Sequence, residues 1–243
     1  MDEQAVVPEA GVATDVGRVR AHNEDSARAV GTVFVVADGM GGHAAGEVAS
    51  AIAVDTLAEL ADRPSVRVED VVRQVVEANH RILASAADHP EQEGMATTLT
   101  GLACVEVDGE PRWAVFNLGD SRVYQWSDGT LAQVSVDHSE VQELVDLGLL
   151  TPEEAAVHPA RNIVTRSLGR EPMGEVDVWL LQPASGARFL LCSDGLSNEL
   201  SADELAAVLR ECPDPGRAAA ELVARAVAAG GRDNATAVVV NLP

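Results

Sequence analysis

Four Asp-Gly pairs punctuate the 243 residues, beginning at Asp38, Asp108, Asp128 and Asp194, and they are not chemically equivalent. The pairs at 108 and 128 have short β-prone runs on both sides and read as hairpin turns. Asp38 and Asp194 instead follow apolar strands, 32–37 (TVFVVA) and 188–192 (RFLLC), and precede helical sequence. A hairpin turn does not lead into a helix. A carboxylate at the end of a buried strand, followed by glycine, puts an acid at the rim of the core with backbone open to a ligand. Asp120, in NLGDSR, and Asp233, in GRDN, each read alone as a turn aspartate, while Glu24 and Asp25 add two carboxylates just before the first apolar strand.

Carboxylates gathered in one small site repel each other and take up protons. Divalent cations remove that penalty, and hard oxygen ligands select Mg²⁺, Mn²⁺ or Ca²⁺ over softer metals. Paired ions suit phosphoryl chemistry, because they generate hydroxide near neutral pH and neutralise the transferred group. A guanidinium such as that of Arg20 would then grip phosphate oxygens in bidentate fashion. Whether these acids meet in space is a question for the fold.

The elements that must position them follow from the apolar pattern. The first ten residues are acidic and are expected to be loosely held, followed by an extended stretch over 12–19. After the strand at 32–37, a helix is expected with Val48, Ile52 and Leu60 on one face, and a second over 68–87 with Val71, Val72, Val75, Val76, Ile82 and Leu83 inward. A strand-rich block runs from Ala96 to about Val136. Short helices are expected near 140–147 and from Pro152, where Thr151 and Glu154 form a capping box with proline at the first helical position. A further strand covers 188–192, a capping box at Ser201 and Glu204 opens a helix towards Arg210, and a last helix over 215–229 precedes a strand over 235–242. Strands in a central block with helix pairs before and after predict a two-sheet sandwich covered by helices, in one domain over 11–243.

Composition narrows the function. A net charge of −22 opposes binding to nucleic acid or to an anionic membrane. All 17 basic residues are arginine, so there is neither a Schiff-base lysine nor a Walker-type phosphate loop. Cys104, Cys192 and Cys212 lack metal-ligand spacing and suggest reduced thiols in a cytoplasmic protein. No basic, apolar leader opens the chain, and no segment reaches about 18 uncharged apolar residues.

The ordered set of motifs adds a family. Arg20-x-x-x-Glu24-Asp25, then 37–43 (ADGMGGH), Thr97-Thr98-Leu99, 119–122 (GDSR), 193–196 (SDGL) and 232–234 (RDN) closely resemble the metal-dependent type 2C serine/threonine protein phosphatases, bacterial branch, over about 11–240. Each motif is weak or moderate alone; in this order they are highly specific. The resemblance implies an α+β fold of two antiparallel sheets packed as a central sandwich, with helices on both sides. It implies Mn²⁺ or Mg²⁺, two ions in the core site and a third near a flap. Asp38 would bridge two ions, with the Gly39 carbonyl on one of them. Asp194 and Asp233 would complete the first site, and Glu24 and Asp25 would support the second through waters. Arg20 would hold the substrate phosphate. Asp120 and Asp194 map to the third site, with the backbone near Asn162 contributing, and 137–165 resembles the flap.

The implied reaction is direct hydrolysis of phosphoserine or phosphothreonine in proteins by a metal-bridging hydroxide. Implied partners are serine/threonine kinases and their targets, met by a monomer. Met40 departs from animal members, which place a histidine there as proposed general acid; His43 reads first as a helix cap, and His138 and His158 as surface residues. Two other readings compete: a phosphohydrolase of small phosphate esters, and a pseudophosphatase that binds phosphoproteins or a kinase.

Overall fold

The computed structural model describes residues 8–41, 45–182 and 186–243, and in them two antiparallel sheets lie face to face. In one, β1 (Glu9–Asp15) pairs with β11 (Ala235–Asn241), followed by β10 (Arg188–Cys192), β7 (Arg122–Ser127) and β8 (Thr130–Gln133). In the other, β2 (Asp25–Val30) is followed by β3 (Val33–Met40), β5 (Leu99–Val107), β6 (Glu110–Leu118) and β9 (Asp177–Leu181), with short β4 (Ala96–Thr97) on the end of β3. Helices α1 (Ala45–Ala58) and α2 (Val68–Asp88) cover the second sheet. Helices α6 (Ala202–Glu211) and α7 (Pro215–Ala229) cover the first. The two expected short helices, α3 (Glu140–Asp146) and α4 (Pro152–Ala156), lie between β8 and β9, and a one-turn helix, α5 (Asp194–Ser197), follows β10.

The four layers explain the apolar runs. Successive side chains of a strand point to opposite faces. In β3, Val33, Val35 and Ala37 pack under the helices, while Phe34 and Val36 face the other sheet. In β10, Leu190 and Cys192 turn to helices and Phe189 and Leu191 to the sandwich. Strands covered on both faces read as unbroken hydrophobic sequence. Asp108 and Asp128 have φ of 53° and 51°, each followed by a left-handed glycine, and close the β5–β6 and β7–β8 hairpins as expected.

Several elements differ from the sequence reading. Strand β3 runs on through Asp38 to Met40, because Gly39 and Met40 pair with Thr97 and Ala96. The extended stretch read over 12–19 is instead β1, and Glu9 and Ala10, read as part of a loose terminus, pair with Asn241 and Val240; residues 1–7 of that segment lie outside the described residues. Strands β2 and β9 were not legible as strands. Helix α1 buries Ala45, Gly46, Ala49 and Ala53, whereas Val48 and Ile52 are only half-buried and Leu60 falls in the 3₁₀ turn beyond. The small residues let the helix lie close on β3.

Helix α2 buries Val71, Val75 and Ile82 as expected, but Val72, Val76 and Leu83 are half-buried. Gln74 and Asn79 take core places instead. Gln74 donates to the Thr56 carbonyl at 2.8 Å; Asn79 accepts from the Gly169 N–H at 2.7 Å and donates to the Arg170 carbonyl at 3.1 Å. Polar side chains so paired are tolerated at full burial. Among the described residues, no helix is long and apolar enough to cross a membrane.

Candidate functional site

At one end of the sandwich, a cavity of about 240 Å³ opens between β3, the β6–β7 turn, the β10–α5 junction and the approach to β11. Eight of the nine residues singled out from sequence line it: Arg20, Glu24, Asp38, Gly39, Asp120, Asn162, Asp194 and Asp233. The ninth, Asp25, lies beneath, buried directly across the β2–β3 ladder from Asp38. Opposed like charges weaken a strand pair. Their persistence here points to something that offsets the repulsion.

Hydrogen bonds to its backbone fix Asp38 at the cavity wall. The Asp38 N–H donates to Thr98 Oγ1 at 3.0 Å, and its carbonyl accepts from the Thr98 N–H and the Thr97 hydroxyl, both at 2.9 Å. The Gly39 N–H donates to the Glu24 carbonyl at 3.1 Å. A Cβ on Gly39 would collide with the backbone carbonyls of Gly46 and Glu24, so only glycine lets β2, β3 and α1 meet there. Asn234 ties the far side in. It accepts from the Glu24 N–H at 2.8 Å and donates to the carbonyls of Val16 and His22, both at 2.9 Å. Ser193 donates to Asp25 Oδ2 at 2.7 Å and accepts from the Thr236 N–H at 3.0 Å.

Thr98, Ser193 and Asn234 stand in the motifs read from sequence, but their positioning roles were not assigned. The signal that could have found Ser193 and Asn234 is a short polar residue next to an acid at a strand end; Thr98 has no acid beside it. Arg20 donates to Asp233 Oδ2 at 2.6 Å, and its side chain remains 52% exposed at the cavity mouth. Met40 also lines the cavity, half-buried. His43 lies outside the described residues. His158 is half-buried and accepts from the Ala160 N–H at 3.2 Å. His138, read as a surface residue, is 5% exposed; the turn it packs on is far away in sequence and shields it.

The electrostatics are those of an overcrowded anion site. Burial, ahead of repulsion from neighbouring acids, pushes the carboxyls of Asp25 and Asp120 up to about 7. Asp38 is driven well above the usual carboxylate range by burial and then by Asp25, Asp194, Asp120 and Asp233. Asp194 is raised by burial and by Asp233, and Glu24 chiefly by burial. Asp25 Oδ1 is buried with no hydrogen-bond partner. An all-oxygen donor set, mutually repelling and with an orphaned buried lone pair, fits hard divalent cations. Among the described residues, no three acid, histidine or cysteine side chains close round a single point. The acids are distributed along the cavity wall, so water and the Gly39 carbonyl would fill remaining positions.

Comparison with known proteins agrees with this chemistry. The family model described as protein phosphatase 2C matches residues 18–226. The serine/threonine protein phosphatase PstP of Mycobacterium tuberculosis is 40% identical over 231 residues, which is 94% of this chain and 44% of that protein. The chain therefore spans less than half the length of that relative. The serine/threonine phosphatase stp of Listeria welshimeri is 36% identical over 242 residues, 93% of each protein. The crystal structure of the PstP catalytic domain in complex with two manganese ions superposes with a TM-score of 0.87 at 38% identity, covering 97% of this chain and 98% of that one.

Proposed function

Because the chain belongs to the protein phosphatase 2C family, we propose that it hydrolyses phosphoserine and phosphothreonine in proteins, using Mn²⁺ or Mg²⁺ held by the aspartates of the cavity. The observation that carries this reading is the cavity itself: carboxylates from five separated stretches of chain around one opening, with those of Glu24, Asp38, Asp120 and Asp194 raised chiefly by burial, and a guanidinium at its mouth. Asp38, Asp194, Asp233 and the Gly39 carbonyl would hold the core ions. Glu24 and Asp25 would support them through water, and Asp120, Asp194 and the chain at Asn162 would hold a third near the flap at 137–165. Ions bound there would supply an activated water and neutralise the phosphoryl charge.

The remaining work falls to this chain's own groups. Arg20 commits one Nη2–H to Asp233, leaving its other N–H donors for phosphate oxygens. The neighbouring acids raise its pKa further, so it stays charged. Thr98 and Asn234 hold Asp38 and Glu24 in place as charge shifts. Replacing Arg20 with alanine should raise KM more than it lowers kcat, by about 10- to 100-fold if a charge-assisted hydrogen bond of about 1.5–3 kcal/mol is lost. Steady-state kinetics on a phosphopeptide checks this, and an unchanged KM would remove Arg20 from the phosphate site.

The finer parts of the reading are a monomer in the cytoplasm, acting on serine/threonine kinases and their substrates. Three free cysteines support the cytoplasmic placement, and the kinase partners follow by analogy with the family. The protein-substrate claim is tested by kcat/KM on phosphothreonine peptides against small phosphate esters, both with Mn²⁺. At least a tenfold preference for peptides, about 1.4 kcal/mol in transition-state binding, is expected. Equal or better turnover of small esters would overturn it.

A further inference from the structure

His138 is joined in both directions to the turn that carries Asp120. Its N–H donates to the Gly119 carbonyl at 2.8 Å, and its Nδ1 accepts from the Gly119 N–H at 3.1 Å. An accepting Nδ1 places the ring proton on Nε2, which faces Asp177 Oδ2 at 3.2 Å. Asp177 opens β9 and pairs with Asn117 of β6. Arg166 donates to the other oxygen of Asp177 at 3.2 Å and so holds that carboxylate in place. Asn117 closes the cage, its Nδ2 donating to the carbonyls of Gly119 and Val136, both at 3.0 Å.

The same histidine joins the two ends of the 137–165 segment. Its carbonyl accepts from the Thr165 N–H at 2.8 Å, and the adjoining residues continue the join: Ser139 bridges Val164, and the Glu140 N–H donates to the Ile163 carbonyl at 2.9 Å. Asn162 and Val164, just inside that join, line the same cavity as Asp120. His138 thus links both walls, its imidazole and N–H to the Gly119 turn and its carbonyl to Thr165.

We propose that His138 is a positioning residue of the cation site: its imidazole, oriented by Asp177, sets the Gly119–Asp120 turn and the Asn162 segment at a fixed spacing across the cavity. The proposal rests on the reading of Asp120 as a cation ligand. His138 itself touches neither substrate nor ion; it acts through Gly119. A leucine at 138 fills the space but leaves the buried Gly119 N–H without an acceptor, whereas an asparagine offers Oδ1 near the position of Nδ1. Partners of this kind, one bond removed from the ligands, typically alter metal affinity by about 10- to 100-fold.

The test is Mn²⁺ binding measured by calorimetry on the intact chain and on H138L, H138N and D120N, with long-range ¹H–¹⁵N NMR of the unsubstituted protein. H138L is expected to weaken the ion lost in D120N by about tenfold or more, with the tighter ions unaffected, and H138N is expected to restore most of it. NMR should show a neutral ring with its proton on Nε2. Full Mn²⁺ binding in H138L, with an ion lost in D120N, would overturn the positioning role and leave Asp120 as a ligand. Full binding in D120N would overturn the reading beneath it. A proton on Nδ1 would overturn the proposal whatever the variants do.

Discussion

Asp38→Asn is expected to lower turnover by about three orders of magnitude while leaving the fold in place. The side chain at 38 faces the cavity, and the backbone, bonded to Thr97 and Thr98, does the structural work. Asparagine preserves the shape and removes the charge that would hold the ions. Loss of about 4 kcal/mol of charge stabilisation in the transition state corresponds to roughly a thousandfold in rate. The metal-free variant should also melt higher than its parent, because desolvation and four neighbouring acids push the Asp38 carboxyl upward. A lower kcat with a raised melting temperature separates a catalytic loss from a folding defect. Near-normal turnover in a folded Asp38→Asn protein would remove Asp38 from the centre of the site.

Removing cations should destabilise the protein, and by more at pH 7.5 than at pH 5. Asp25 and Asp120 titrate at about 7 in the fold, against 3.8 for the ordinary carboxyl. A carboxyl whose folded pKa is raised binds more protons folded than unfolded. Its contribution is fully present below about 4 and is lost as pH rises towards 7. For one such group the loss reaches about 4 kcal/mol, at about 1.4 kcal/mol per pH unit. Cations replace those protons at neutral pH and have little to replace at pH 5. For a domain of this size, 1 kcal/mol is about 2–4 °C in Tm, so Mn²⁺ against EDTA should differ by about 10 °C at pH 7.5 and far less at pH 5. Thermal melts at both pH values check this. A cation effect independent of pH would mean that the acids are not what the ions relieve.

What the sequence made legible follows from which residues carry a one-dimensional signal. Strands β3, β10 and β11 are covered on both faces, so their apolar runs stand out. The caps at Thr151 and Ser201 are local chemistry and were read directly. Strand β2, with the sequence DSARAV, is an edge strand with only Asp25 buried, and β9 is an edge strand that leaves Leu180 48% exposed. Neither alternates cleanly enough to announce itself. The first turns of α1 bury alanine and glycine, so the larger residues Val48 and Ile52 point to its flank, and Val54 and Leu57 enter the core only further along.

The site divides along the same line. Each acid was visible as a motif, and their order carried the family resemblance. Their convergence depends on pairings such as Asp25 with Asp38 across β2–β3, which no spacing along the chain encodes. The burial of His138 depends likewise on a turn about twenty residues upstream folding back onto the base of the 137–165 segment, a contact without periodicity.

Cation-dependent hydrolysis of a phosphoprotein is decided by one assay: phosphate release from a phosphothreonine peptide by the purified chain with EDTA, then with Mn²⁺ or Mg²⁺ restored. Activity abolished by EDTA and recovered with Mn²⁺ is the predicted result. A folded protein that releases no phosphate with any of these cations, or releases it undiminished in EDTA, is not a cation-dependent phosphatase.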